Sequence, residues 1–260
     1  MRFVSFASGS TGNCGLLSQG DTHILIDAGI SMRRITNALA KMGLKETDVA
    51  GVLITHEHRD HTAALATMMK KGTMQVYAPR TVANHLRWTV CGIEEHLTVI
   101  PTEEPFTLGG IEVTAFHTSH DTDESVGYCF FAGARFGYCT DTGCVTPAML
   151  RCLPGVDAAV IESNHDEMLL RYGSYPYHLK RRVLSERGHL SNEDSARLAE
   201  KLCSAGMTKL ILAHLSRENN RPELALQTVG MHLDKMGYSP EIYAAPMDGF
   251  CSIEFEGSDD

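Results

Sequence analysis

Short apolar runs bounded by Gly, Asp or Asn alternate along the chain with stretches in which apolar residues recur every three or four positions. That texture predicts an α/β fold. Residues 3–6 and 24–27 read as the first strands. Ser31 can cap a helix on which Ile35, Leu39 and Met42 share a face and which Gly43 stops. A strand over 49–55 follows. Further along, 126–131, 136–140, 158–161 and 209–213 read as strands, and 192–204 and 222–236 as helices. Without a Pro/Ser-rich linker, a low-complexity run or a shift in composition, residues 1–260 are expected to form one domain with two similar halves.

Composition agrees with a globular protein able to bury a core, at 43% apolar and 21% charged residues. Charge narrows the function more than composition does. With 23 basic against 32 acidic residues, the formal charge is −9, which excludes generic coating of nucleic acid by a basic surface. A local site can still grip phosphate, because bound divalent cations add charge that this sum omits. The eight cysteines include no CxxC pair and read as small core hydrophobes in a reducing cytosol. The first residues lack the apolar core of a signal peptide, and no stretch has the roughly 18 uncharged apolar residues of a membrane span. A soluble, cytoplasmic protein without membrane association or an obligate protein partner is expected.

Chemistry concentrates in Thr55-His56-Glu57-His58-Arg59-Asp60-His61, directly after an apolar strand. On an extended loop, residues two apart project to the same side. His56 and His58 can therefore share one cation while Asp60 and His61 turn toward a second, a two-metal geometry that needs distant ligands.

This HxHxDH segment resembles the signature of the metallo-β-lactamase superfamily, and the remaining motifs follow in order: Asp27 after Ile24-Leu25-Ile26, His120 in Thr118-Ser119-His120-Asp121, Asp141 in Cys139-Thr140-Asp141-Thr142-Gly143, and His214 in Ala213-His214-Leu215-Ser216. The resemblance implies a four-layer αββα sandwich with a dinuclear site at one edge. One divalent ion, zinc or manganese, would take His56, His58, His120 and Asp141. The other would take Asp60, His61, Asp141 and His214, with Asp141 bridging and Asp27 buttressing the ligand loop. Such a pair activates a water and neutralises charge on a phosphodiester.

Within the superfamily, Glu162 in Val160-Ile161-Glu162-Ser163-Asn164-His165-Asp166 and His189 in Gly188-His189-Leu190-Ser191-Asn192 are similar to the residues with which RNase Z-like nucleases protonate the leaving oxygen. Spacing argues against two relatives. Only 21 residues separate Asp141 from Glu162, too few for the inserted domain of β-CASP nucleases, and 21 separate His120 from Asp141, too few for the tRNA-gripping arm of RNase Z. From Ser8-Gly9-Ser10-Thr11-Gly12-Asn13-Cys14 to Met247-Asp248-Gly249 the chain resembles the YycJ/WalJ-type family, whose members are implicated as 5′-to-3′ DNA exonucleases linked to mismatch repair. A phosphodiester hydrolase acting on DNA is expected, with Asp60, Asp141, Glu162 and His189 as catalytic residues. Ser10, Asn13, His165, His178 and Ser216 are candidates to touch substrate, while Lys180-Arg181-Arg182 reads as a solvated helix face. The alternatives are a small-molecule hydrolase of a cyclic phosphodiester, lactone or thioester, which the −9 charge favours, and a metal-bearing, non-enzymatic DNA-repair scaffold.

Overall fold

The computed structural model describes residues 1–72 and 74–257. Strands β1 (Arg2–Ala7), β2 (Cys14–Gln19), β3 (Thr22–Ile26), β4 (Val49–Leu53), β5 (Val76–Pro79) and β6 (Leu97–Ile100) belong to one sheet. Strands β7 (Pro105–Leu108), β8 (Ile111–His117), β9 (Val126–Phe131), β10 (Arg135–Cys139), β11 (Ala158–Glu162), β12 (Lys209–Ala213) and β13 (Glu241–Ala244) form the second. The chain then returns to the first sheet, where β14 (Cys251–Glu254) pairs antiparallel with β1. Both sheets are mixed: β3 to β6 and β10 to β13 run parallel, and the rest are antiparallel.

Alternation along individual strands builds the layers. In β3, Ile24 and Ile26 face the core between the sheets while Leu25 faces outward. In β12, Ile211 and Ala213 face inward while Leu210 and Leu212 face the opposite side. Both faces are covered, which is why these strands are apolar throughout instead of alternating. Helices α1 (Met32–Lys41), α2 (Arg59–Thr62), α3 (Leu65–Lys71) and α4 (Arg80–Thr89) lie in the first half of the chain, and α1, α3 and α4 cover the outer face of the first sheet through Ile35, Leu39, Leu65, Met68, Val82 and Leu86. The second half adds α5 (Pro147–Cys152), α6 (Glu167–Tyr172), α7 (Tyr177–Val183), α8 (Asn192–Ser204) and α9 (Pro222–Met236), of which α5, α8 and α9 cover the second sheet through Met149, Leu198, Leu202, Val229 and Leu233. The result is the αββα sandwich.

Helices α8 and α9 occupy the expected spans, and Ser31 caps α1 by accepting from the Arg34 amide. Five strands stop earlier or later than expected, β1 running on to Ala7 and β10 ending at Cys139. β3 ends at Ile26 and β4 at Leu53, because the Thr55 amide donates to Asp27 Oδ1 at 2.9 Å instead of entering the ladder. β11 instead runs on to Glu162. The cysteine reading holds for Cys14, Cys139 and Cys203, which are buried, and fails for Cys91, which is exposed. Among the described residues, no helix is long and apolar enough to cross a membrane.

Candidate metal centre

Loops leaving the strand ends carry the site, and backbone strain marks them. Among the described residues, four non-glycine residues have positive φ, and three of them are Asp27 (φ 61°), Asp141 (φ 56°) and His214 (φ 55°), one or two residues past the ends of β3, β10 and β12. A left-handed conformation costs an L-residue about 1–2 kcal/mol. Its recurrence here fits a site where the surrounding contacts impose the geometry. His214 is pinned from both sides: its amide donates to Ser8 Oγ at 2.8 Å, and its carbonyl accepts from Asn164 Nδ2 at 2.8 Å.

Close backbone contacts fix the ligand loop. The Asn13 amide donates to Asp60 O at 2.7 Å, the Ala28 amide to His61 O at 2.8 Å, and the Gly29 amide to Asn13 O at 2.8 Å. No side chain fits at Gly29, where a Cβ would lie 1.5 Å from the Asp60 carbonyl oxygen. His56 and His58 remain on the extended loop, whereas Asp60 and His61 sit in the single turn of α2.

Among the described residues, the ligand-type atoms gather in four groups that each fit within 4.8 Å: His56, His58 and His120; Asp60, His61 and His214; His56, His61 and Asp141; and Asp141, Glu162, His189 and His214. The first two groups are the two halves of the expected set, and the third brings Asp141 between them. Asp141 Oδ2 lies 3.3 Å from His61 Nε2, and Oδ1 lies 3.4 Å from His214 Nδ1 and 3.8 Å from His120 Nε2.

Outer partners orient the rings. His61 Nδ1 meets Asp27 Oδ2 at 2.7 Å, His120 Nδ1 meets Gly188 O at 3.1 Å, His214 Nδ1 meets Glu162 Oε1 at 2.8 Å, and His56 Nδ1 meets Thr55 Oγ1 at 3.1 Å. With each Nδ1 engaged, Nε2 is the nitrogen left for a metal. Nε2 of His56, Nε2 of His214 and Oδ2 of Asp141 are buried without a hydrogen-bond partner. Such orphaned groups are costly to bury, and this nitrogen and oxygen donor set suits divalent metal.

Electrostatics divides the histidines. Burial, reinforced by neighbouring imidazoles, holds His56 well below its ordinary range, and burial also lowers His120. Burial would depress His61 and His214 too, but carboxylates overcome it. Asp27 and Asp141 raise His61 well above its usual value, and Asp141, Asp60 and Glu162 push His214 up to about 10. Burial opposes ionisation of Glu162, yet His189 and His214 hold its carboxyl below the usual range.

Around this cluster lies a cavity of about 300 Å³ lined by His58, Asp60, His120, Asp141, His189 and His214 and, among others, Ser10, Ser216, Tyr175 and Arg182. Glu162 is fully buried beneath it and holds His189 Nδ1 at 2.8 Å. Ser10 and Ser216 therefore line the cavity as substrate contacts would. Asn13 and His165 do not. Asn13 has no exposed surface and braces the loop: its Oδ1 accepts from the Gly9 amide at 2.8 Å, and its Nδ2 lies 3.0 Å from His61 Nε2. His165 is buried where it forms a parallel bridge with Ser191, and burial lowers it to about 4. His178 is exposed on α7, outside the cavity lining. Arg181 and Arg182 are exposed, as a solvated helix face requires, and Lys180 is half-buried; Arg182 in addition lines the cavity, with its Nε 2.5 Å from Asp121 Oδ2. Ser8 and Asn164, which hold His214, are site residues that carried no signal beyond belonging to quoted motifs.

This fold and this set of converging ligands define a metallo-β-lactamase-type centre for divalent metal. The chain belongs to the beta-lactamase superfamily, whose domain matches residues 22–215, and within it to the group that contains exodeoxyribonucleases YycJ and WalJ. It is 39% identical to exodeoxyribonuclease YycJ of Bacillus anthracis over 92% of this chain and 91% of that one. With exodeoxyribonuclease WalJ of Streptococcus pneumoniae the identity is 36%, covering 88% and 86%. Among solved structures, zinc-bound PqqB of Methylobacterium extorquens superposes with a TM-score of 0.74 at 18% identity, covering 98% of this chain and all of that one, a likeness of fold.

Proposed function

We propose that residues 1–260 work as one metal-dependent exodeoxyribonuclease in the cytoplasm, removing nucleotides from a 5′ end, with two divalent ions, zinc or manganese, at the centre. The observation that carries this reading is the pair of three-ligand groups bordering one cavity, which His58, His120, Asp60 and His214 line, with Asp141 between them and the Glu162–His189 pair beside them. Identity to YycJ and WalJ over nearly the whole chain supports DNA as substrate.

His56, His58, His120 and Asp141 would hold one ion, and Asp60, His61, Asp141 and His214 the other. Divalent ions so placed supply Lewis-acid activation of water and neutralise charge on a phosphodiester. The protein's own groups do the rest. Asp27, Gly188 O and Glu162 keep each Nε2 aimed inward. Asp60 and Asp141 provide the negative charge that makes a cluster of imidazoles tolerable. Glu162 occupies His189 Nδ1, so Nε2 is the atom left to hand a proton to the departing oxygen. Ser10 and Ser216 on the cavity wall would contact the phosphate or sugar.

The test is a substrate panel: metal-loaded protein with 5′-end-labelled single-stranded DNA, duplex DNA, RNA and bis-p-nitrophenyl phosphate. Mononucleotide release from the labelled end of DNA is expected. Hydrolysis of bis-p-nitrophenyl phosphate with every nucleic acid left intact would overturn the nuclease reading in favour of a small-molecule hydrolase, and no hydrolysis at all would favour a scaffold.

A further inference from the structure

Two further cavities continue the central one along one flank. The central cavity shares Ser10 and Asp60 with a cavity of about 550 Å³ walled by Arg34 and Arg59, and that one shares Ile30 and Arg34 with another of about 340 Å³ walled by Lys41 and Phe250. Helix α1 supplies two of these cations from a single face. Its Ile35 and Leu39 are buried in the core, while Arg34 and Lys41, seven residues apart and so one above the other, border the cavities. Their separation along the helix axis is about 10 Å, the span of about three nucleotides of a DNA strand.

These cations have donors to spare. Arg59 is exposed and, among the described residues, its side chain has no hydrogen bond or ion pair. Arg34 donates from Nη2 to Asp248 Oδ1 at 2.6 Å, which holds a guanidinium whose other N–H groups can serve a ligand. Lys41 is exposed, with Nζ 5.2 Å from the Phe250 ring centroid. Of the two carboxylates on this flank, Asp60 is a proposed metal ligand and Asp248 is the partner of Arg34. The opposite flank has the reverse character. A cavity of about 310 Å³ beyond His120 is walled by Asp123 and Glu124, and its Arg187 is spent on the carbonyls of His120 (2.9 Å) and Thr122 (2.6 Å). In a chain of net charge −9, a polyanion leaving the metals therefore meets carboxylates on one side and cations on the other.

We propose that Arg59, Arg34 and Lys41 form a track for backbone phosphates on one side of the scissile bond, so that the uncleaved part of a DNA substrate leaves the metal centre across α1. This rests on the nuclease reading and adds to it the direction in which the substrate lies. Arg59, beside Asp60, takes the phosphate nearest the reacting one, and Lys41 takes the outermost. Such contacts are blind to base sequence, and each releases counterions condensed on the DNA.

The test is the salt dependence of DNA binding, read by fluorescence anisotropy with metal-loaded protein and a labelled duplex carrying phosphorothioate linkages. In a plot of log affinity against log salt concentration, each lost phosphate contact should make the slope shallower by about 0.9. Lys41→Gln, at a position outside the central cavity, should show the loss of about one contact with metal content unchanged, and Arg59→Gln/Lys41→Gln the loss of about two. Lys201→Gln/Lys235→Gln, which removes the same charge from exposed positions on α8 and α9, should keep the wild-type slope. Elemental analysis of each variant separates a lost phosphate contact from a lost metal, and Lys41→Gln decides the matter alone if Arg59→Gln disturbs the ligand loop. A wild-type slope in Lys41→Gln, or an equally shallow slope in the α8–α9 variant, would overturn the track even with DNA cleavage intact. Failure of the wild type to bind or cut any DNA would overturn the nuclease reading itself.

Discussion

One oxygen of Glu162 serves two histidines: Oε1 lies 2.8 Å from Nδ1 of His189 and 2.8 Å from Nδ1 of His214. The carboxylate thus couples the proposed proton donor to a proposed ligand of the metal. Its other oxygen is equally committed, accepting from the amides of Thr142 (2.9 Å) and Leu190 (3.2 Å).

Glu162→Gln should therefore act on more than proton donation. Whichever way the amide turns, its NH2 faces donors that the carboxylate satisfied. Each group left unsatisfied in this buried position costs about 1–3 kcal/mol. Loss of metal affinity, a lower melting temperature and loss of turnover are all expected together. Metal titration and thermal melting check this, and a variant that keeps wild-type metal affinity and stability would contradict the double role.

His189→Ala should separate from it. His189 belongs to neither three-ligand group, although it lies in a further group with Asp141, Glu162 and His214, and it lines the cavity. Both ions should stay bound while turnover on DNA falls roughly 10²–10⁴-fold, the usual worth of a positioned general acid. Bis-p-nitrophenyl phosphate, whose leaving group needs no proton, should largely escape that loss. Equal losses on both substrates would remove the proton-donor role.

Gly29→Ala should disable the centre without touching a ligand. The added methyl would meet the Asp60 carbonyl oxygen at 1.5 Å, so the Asp60-His61 turn must move. Reduced metal content in a protein with native circular dichroism is the expected result. Normal metal content would show that the loop contact does not position Asp60 and His61.

Much of this was legible in the sequence, for identifiable reasons. Helices α8 and α9 are long enough for their periodicity to fix both ends, and strands buried on both faces announce themselves as apolar runs. The ligands were legible because four fall within six residues, after a strand. Burial was not legible: Asn13 and His165 are residue types at home on a surface, and only the loop packing and the bridge to Ser191 bury them. The ends of β3 and β4 were misplaced because a side chain, Asp27, replaces the ladder there. The different positions of Lys180 and Arg182 were hidden because charge counting cannot tell a lysine spent on the carbonyls of Arg171 and Gly173 from an arginine lining a cavity.

Metal binding should release protons. His61 and His214 are raised in the metal-free fold, so their stabilisation is complete below the ordinary histidine value of 6.5 and is lost as pH rises through the raised value, about 10 for His214. Metal requires both rings neutral on the ligating nitrogen and replaces the protons as the source of compensating charge. The melting temperature of chelator-treated protein should thus fall relative to that of the metal-loaded form as pH rises from 6.5 toward about 10. Parallel melting curves for the two forms over that range would show that these histidines are not where metal and proton compete.

Elemental analysis of metal-reconstituted wild-type protein tests the dinuclear centre most directly. Seven ligand side chains split around Asp141 are more than one tetrahedral ion can use, so the protein should hold about two divalent ions per chain. A reproducible value at or below one would contradict the shared-carboxylate site and the chemistry built on it.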